Sequence, residues 1–185
     1  MSTTTAPTQS ATGTYAIDPT HSRIGFVARH AMVTKVRGSF NEFEGSAVVG
    51  ADLADTTASV TIQVASIDTR NEQRDGHLKS NDFLSIEEFP TITFVSTGVT
   101  AAGPSSLELT GDLTVRGVTN AVTIPFEFEG AAVDPYGNVR AGFEGSVTIN
   151  RKDYGVTWNA ALETGGVLVS DKIALEFEIS AIKAV

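Results

Sequence analysis

The chain has 185 residues, with 22 Asp and Glu against 13 Lys and Arg, which gives a formal net charge of −9. Its hydrophobic share of 41% is too high for a disordered chain, and its acidic pI argues against binding to a nucleic-acid backbone. The absence of cysteine excludes disulfides and thiolate chemistry, and no apolar stretch approaches the ~20 residues of a membrane-spanning helix.

Residues 1–14 are mostly Thr, Ser, Ala and Gly, and they carry no charged side chain. They lack the basic start and the apolar stretch of ~7–15 residues that a secretory signal needs. We interpret them as a flexible polar tail before a single domain over residues 15–185, and we expect a cytoplasmic protein. A secreted protein whose signal segment has been removed is the alternative.

From Tyr15 onward, apolar and polar residues alternate with a period of two. In the first clear strand, Ile24, Phe26 and Ala28 share one face. The pattern recurs within residues 36–49, 60–64, 91–99, 107–116, 122–129, 139–149 and 173–180. This period is typical of antiparallel strands with one buried and one solvent-facing side. About eight such strands on one chain must stack as a sandwich or close as a barrel.

The alternation stops between residues 71 and 88. Residues 71–80 and 81–88 each begin with Asn, a helix-capping residue, and the segment ends before Pro90, so one or two short helices are predicted. The strand over residues 36–49 is expected to bend near 38–43. Pro125 on an outward position indicates an unpaired edge or a bulge.

The inward faces of the predicted strands are rich in phenylalanine, and a barrel of about eight strands is either filled or holds one small ligand. The inward rings are Phe26, Phe40, Phe94, Phe126, Phe128, Phe143 and Phe177. Core packing is the alternative for each ring. Small inward residues such as Gly38, Gly111 and Gly145 either leave room beside the rings or mark bends in the strands.

Motifs for nucleophilic catalysis or phosphate binding are absent from the sequence. His21, His30 and His77 fall on different elements without metal-ligand spacing, so neither a metal nor a cofactor is expected. His30 has inward parity, which fits either a polar contact to a ligand head or a hydrogen-bonded residue at the barrel end. The charged cluster over residues 74–80 fits either acid–base work or a self-neutralising helix surface.

Several motifs follow one another along residues 15–185. They are Tyr15-x-Ile17-Asp18-x-x-His21-Ser22, Val36-Arg37-Gly38-x-Phe40, Arg74-Asp75-x-His77-Leu78, Phe89-Pro90-x-Ile92-x-Phe94, Gly111-x-Leu113-Thr114 and Arg151-x-Asp153-Tyr154-Gly155. Together they resemble the YceI-like family. The resemblance implies an extended lipocalin-like barrel, with a helix over one flank, that holds a long isoprenoid or fatty-acyl chain. The resemblance implies no catalytic residues, and it implies a possible homodimer.

We therefore predict an all-β, eight-stranded antiparallel barrel that binds a polyisoprenoid, an isoprenoid quinone or a fatty-acyl derivative for carriage, storage or sequestration. The candidate ligand contacts are Phe26, His30, Phe40, Phe43, Ile62, Phe83, Phe94, Leu113, Phe126, Phe128, Phe143, Trp158 and Phe177. An isomerase or cyclase acting on a hydrophobic substrate, with His30 as its titratable group, is the alternative function. A filled barrel with a structural or stress-response role is a third hypothesis.

Overall fold

A computed structural model describes residues 12–185, so most of the predicted polar tail lies outside the described residues. The strands within this range are β1 (Gly13–Ile17), β2 (Arg23–His30), β3 (Thr34–Phe40), β4 (Phe43–Val49), β5 (Thr57–Gln63), β6 (Ile67–Asp68), β7 (Thr91–Ala101), β8 (Ser106–Val115), β9 (Val118–Val133), β10 (Val139–Asn150) and β11 (Lys172–Lys183). Gly13 pairs with Val49 in β4, so β1 includes two residues that precede the predicted boundary at Tyr15.

The strands form one closed antiparallel barrel in which neighbours in sequence pair with each other. Three barrel strands are each built from two segments: β1 with β2, β3 with β4, and β5 with β6. Counting each pair once gives the predicted eight strands, so the eight-stranded lipocalin-like barrel is confirmed. β11 closes the ring, because Ala181 pairs with Ile17 in β1 and Leu175 pairs with Phe26 in β2.

The breaks within the first three barrel strands are short and local. The 3-10 turn Pro19–His21 separates β1 from β2, residues 41–42 separate β3 from β4, and the 3-10 turn Val64–Ser66 separates β5 from β6. The second break lies inside the bend predicted over residues 38–43. Each break lets a strand change direction and keep its inward face on the barrel interior, as curvature in a closed sheet requires.

β9 and β10 separate from each other toward one end of the barrel. Their pairing shifts at Gly142/Phe143, where a bulge lies, and stops at Gly145 opposite Phe126. Pro125 therefore lies where β9 pairs with β8 alone, which confirms the predicted unpaired edge. The 3-10 turn Arg151–Tyr154 lies beside this edge. The side-chain amide of Asn120 in β9 donates a hydrogen bond to the backbone carbonyl of Asp153 in this turn, at 2.9 Å.

The segment between β6 and β7 contains α1 (Glu72–Lys79), which confirms the first predicted helix. The Asn71 side chain accepts a hydrogen bond from the Arg74 amide at 2.9 Å and caps its start. One helix forms where one or two were predicted, because residues 81–88 form hydrogen-bonded turns. Ser85 has a φ of 51°, a left-handed conformation that a continuous helix does not accommodate.

The charged residues of α1 hold the helix against the end of β6. The Arg74 guanidinium donates to the Thr69 hydroxyl at 2.8 Å and to its carbonyl at 2.6 Å. Asp75 accepts from the Thr69 amide at 2.9 Å and from its hydroxyl. Because Thr69 is buried, Arg74 and Asp75 anchor the chain here instead of forming a self-neutralising surface.

A network of charged groups on the outer surface links the β1–β2 break to the β9–β10 turn. Asp18 accepts hydrogen bonds from Arg140 at 2.8 Å and from the His21 ring at 2.7 Å, and Arg140 also donates to Asp134 at 2.8 Å. The Arg140 bond, followed by the His21 bond, lowers the pKa of Asp18 to about 2. Both aspartates are therefore ionised throughout the neutral range.

Candidate functional site

The interior of the barrel holds a cavity of about 1070 Å³ with a predominantly apolar lining. All eight barrel strands contribute inward residues to it, from Tyr15 in β1 to Ala181 in β11. This volume lies at the upper end of the range usual for ligand pockets. The third hypothesis, a filled barrel without a pocket, is therefore wrong.

Most of the predicted ligand contacts line this cavity. They are Phe26, Phe40, Ile62, Phe83, Phe94, Leu113, Phe126, Phe128, Phe143 and Phe177. They come together because each has inward parity on its own strand, apart from Phe83, which reaches the cavity from the turns after α1. Alternation shows which residues of a strand face inward even when the order of the strands is unknown. The set could therefore be predicted from sequence.

Three phenylalanine rings lie directly over glycines of neighbouring strands. A Cβ atom on Gly38 would lie 2.8 Å from Cε1 of Phe26, and one on Gly145 would lie 2.6 Å from Cδ1 of Phe126. Gly111 has the same relation to the ring of Phe94. Each ring occupies the space that a side chain would fill, so it lies close to the barrel wall and the centre stays open. The inward glycines therefore leave room for the rings, one of the two predicted roles.

One end of the cavity reaches the protein surface, and we call it the open end. It lies where the β4–β5 connection over residues 50–56 meets the β7–β8 connection over residues 102–105. All exposed residues of the lining lie in this half of the barrel: Ser46, Ala51, Asp52, Ala101, Gly103, Pro104 and Ser105. This opening could not be predicted from the sequence, because loop residues do not alternate between two faces as strand residues do.

The opposite end is covered by two long connections, and we call it the closed end. The connection between β6 and β7 contributes Leu78, Phe83 and Leu84 to the lining, and the one between β10 and β11 contributes Tyr154 and Val156. All of these residues are buried or half-buried. The exposed part of the lining is therefore confined to the open end.

Arg151 lies at the closed end and is buried although it carries a charge. Its guanidinium donates to the backbone carbonyls of Ser170, Val156 and Trp158 at 2.8–2.9 Å, and to that of Val169 at 3.4 Å. Burial lowers the pKa of Arg151 from its ordinary value, and the nearby Asp171 opposes that shift. The side chain ties together the connection that covers this end of the barrel.

An aromatic cluster packs just outside the cavity at the closed end. The rings of His77 and Trp158 lie 4.8 Å apart and those of Phe83 and Trp158 5.2 Å apart, as measured between centroids. Nε2 of His77 is 2.8 Å from a carboxylate oxygen of Asp82. Phe83 alone of the three rings reaches the cavity, so Trp158 contributes by supporting Phe83.

Trp158, His30 and Phe43 do not line the cavity, in contrast to the prediction. His30 has the same parity as Phe26 and Ala28, but it is the last residue of β2. It therefore lies beyond the cavity and is exposed. Phe43 begins β4 after the strand break and is buried in the hydrophobic core. Among residues 12–185, no group of three or more His, Asp or Glu residues is arranged to hold a metal ion.

Tyr15 lines the cavity near the open end but was absent from the predicted contacts. It is 5% exposed and packs with Ala141 and Ala181, beside Phe128 and Phe143. The signal that could have identified it is its parity with Ile17, which also faces inward. No helix within residues 12–185 has the length and apolar character needed to cross a membrane.

Comparison with known proteins gives consistent matches in sequence and structure. The sequence profile of the YceI-like domain matches residues 15–181. A UPF0312 protein of Staphylococcus aureus strain MSSA476 is 43% identical over 170 residues, covering 90% of this chain and 95% of the relative. The crystal structure of Burkholderia cenocepacia BcnA superposes with a TM-score of 0.78 at 25% identity, covering 89% of this chain and 98% of that one.

A further solved structure, a polyisoprenoid binding domain from Saccharophagus degradans, superposes with a TM-score of 0.70. The alignment covers 92% of this chain and 98% of that domain, at 13% identity. At this identity the likeness shows a common fold.

Proposed function

The chain belongs to the YceI-like domain family, and we propose that its barrel binds one long apolar molecule, a polyisoprenoid, an isoprenoid quinone or a fatty-acyl derivative. The observation that carries this proposal is the apolar cavity of about 1070 Å³, which reaches the surface at the open end. A long, narrow ligand suits such a pocket, because it enters end-on and buries most of its length against the strands.

Removal of apolar surface from water supplies the binding energy. Each Å² of buried apolar surface contributes roughly 25 cal/mol, from which the cost of ordering the ligand is subtracted. The rings over Gly38, Gly111 and Gly145 keep the cavity open before a ligand arrives, so little reorganisation of the protein opposes binding. We propose the predicted residues that line the cavity as the ligand contacts. His30, Phe43 and Trp158 are left out of this set.

The choice of a polyisoprenoid is supported by the structural neighbour from Saccharophagus degradans, which is a polyisoprenoid binding domain. The acyl alternative has the same chemistry along the chain and differs in branching and head group. Carriage, storage and sequestration all require the same pocket. The cytoplasmic location and the homodimer stay predictions.

The enzyme alternative depended on His30 as a titratable group inside the barrel. His30 is exposed and lies outside the cavity lining, so it cannot act on a substrate enclosed in the barrel. Arg151 is the buried charged group of the lining, and its donors are engaged by backbone carbonyls. We therefore propose binding without chemical conversion.

Organic extraction of the purified protein followed by mass spectrometry tests the proposal directly. We expect a lipid with a long apolar chain at a stoichiometry near one per barrel. Squalene binding, measured by displacement of a fluorescent polyene, provides a second test in protein stripped of its lipid. Repeated absence of any extracted lipid, together with no squalene binding, would refute the proposal.

A pair of variants separates binding in the cavity from binding on the surface. Ala58 lines the cavity, whereas Ala16 is an exposed residue of β1. We expect Ala58→Trp to fill part of the cavity and to weaken squalene binding by at least tenfold. Ala16→Trp adds the same ring outside the barrel and should leave binding unchanged. Equal effects of the two substitutions would contradict binding inside the barrel.

A further inference from the structure

Tyr15 places a phenol group in the apolar interior close to the open end. The residue is 5% exposed, and its ring packs with Ala141 and Ala181. It lies in β1 between Ala47 of β4 and Lys183 of β11, so backbone pairing holds it on both sides. Its position is therefore fixed by the barrel wall.

The Tyr15 hydroxyl has no hydrogen-bond partner among residues 12–185, and burial alone raises its pKa. Every fully buried side-chain nitrogen or oxygen atom in these residues does have a hydrogen-bond partner. The Tyr15 hydroxyl must therefore face open space, and the open space that its side chain lines is the cavity. A phenol buried in apolar surroundings normally finds a partner, because an unpaired polar group is costly.

Several other polar groups of the cavity lining are already engaged. At the closed end, Arg151 donates to backbone carbonyls. At the open end, the hydroxyls of Ser105 and Ser106 both bind the carboxylate of Glu127. Tyr15 thus offers a donor that a ligand can use without breaking a bond within the protein.

The charged residues around the mouth are mostly acidic, and Lys183, which pairs with Tyr15 across β1 and β11, is the basic residue at this end. Asp52 and Asp55 lie in the β4–β5 connection, and Glu108 and Glu127 lie near the turn between β7 and β8. Negative charges at the entrance oppose a carboxylate or phosphate head by Coulomb repulsion, whereas an uncharged oxygen meets no such penalty. The donor at Tyr15 and the charge at the mouth therefore favour the same kind of head group.

We propose that the Tyr15 hydroxyl donates a hydrogen bond to an uncharged oxygen of the bound lipid, such as that of a ketone, a quinone or an alcohol. The proposal rests on the proposed function, because it assigns the head-group contact within the same cavity. It orients the ligand with its oxygen-bearing end near the open end and its chain toward Arg151. Among ligands of similar chain, it predicts a preference for a neutral acceptor over a pure hydrocarbon or an anion.

The test compares three probes in displacement titrations: geranylgeranylacetone as a neutral ketone, geranylgeranoate as an anion and squalene as a hydrocarbon. Tyr15→Phe removes the hydroxyl and keeps the ring. We expect it to weaken ketone binding by about fivefold, the usual net effect of one hydrogen bond, and to leave squalene binding unchanged. We also expect the wild-type protein to bind the ketone more tightly than the carboxylate.

Two matched substitutions serve as controls. Tyr136 is 90% exposed, so Tyr136→Phe should have no effect, and Tyr154 lines the closed end, so Tyr154→Phe reports a head group bound there. The inference is overturned if Tyr15→Phe affects ketone and squalene equally, if it affects neither, or if Tyr154→Phe alone weakens ketone binding. Carboxylate binding as tight as that of the ketone would overturn the preference for an uncharged head. Failure of the wild-type protein to bind squalene would instead refute the proposed function.

Discussion

Substitution of Gly38 by alanine should reduce the free space of the cavity while leaving the barrel folded. An added Cβ atom would lie 2.8 and 2.9 Å from Cε1 and Cε2 of Phe26, and its nearest neighbours are all atoms of that ring. Carbon atoms pack at about 3.5–4.0 Å, so the ring must move by about 1 Å or more. Because the cavity lies in front of the ring, the ring has room to move inward.

The expected cost falls mainly on the ligand. Overpacking costs typically ~1–3 kcal/mol, and at 1.4 kcal/mol per tenfold this weakens ligand binding by roughly 5- to 150-fold when the ligand needs the space that the ring takes. The free protein can place the ring in empty space, so its stability should change by less than about 1 kcal/mol. Squalene displacement measures the first quantity and urea unfolding the second.

Two further variants make this prediction specific. Gly98 lies in β7 with no atom within 4 Å of an added Cβ, so Gly98→Ala is the matched control and should bind normally. Phe26→Leu combined with Gly38→Ala should restore much of the affinity, because the smaller side chain returns the lost space. Wild-type affinity in Gly38→Ala would refute the idea that the ring over this glycine sets the width of the binding cavity.

Three other changes should produce measurable effects. Since Arg140 and His21 lower the pKa of Asp18 to about 2 from ~3.9 when unfolded, its stabilisation is present above about pH 4 and is lost toward pH 2. The difference in Tm between wild type and Asp18→Asn should therefore be largest at neutral pH and disappear over that interval. Arg151→Met leaves buried carbonyls unpaired and should lower the free energy of unfolding by ~3–5 kcal/mol. Arg151→Lys should lower it by less, and an equal loss in the two variants would contradict the role of the guanidinium. Asn71→Ala removes the cap of α1 and should cost ~1 kcal/mol in urea unfolding, while an unchanged midpoint would argue against the cap.

Strand positions could be predicted from sequence because one face of each strand is buried and the other is not. Ile24, Phe26 and Ala28 show this alternation, and the structure places all three on the cavity. The same rule failed for His30, which continues the alternation but lies where β2 leaves the barrel. Parity gives the direction of a side chain, whereas the extent of the barrel depends on tertiary pairing.

The site features that escaped prediction depend on contacts between distant segments. The sequence left open whether residues 81–88 form a second helix, and the left-handed conformation of Ser85 makes this segment a series of turns. The free hydroxyl of Tyr15 depends on which side chains from other strands surround it. Local sequence contains neither kind of information, because both are set by packing.

The closure of the barrel by β11 ties cavity formation to the last strand of the domain. Leu175 pairs with Phe26, and Ala181 pairs with Ile17, about 150 residues earlier in sequence. Among the barrel strands, β11 is synthesised last, so β10, β1 and β2 keep unpaired edges and the aromatic interior stays exposed until β11 has left the ribosome. Nascent chains of this protein should therefore depend on chaperones, and the cavity should be able to hold an apolar ligand only after β11 has paired.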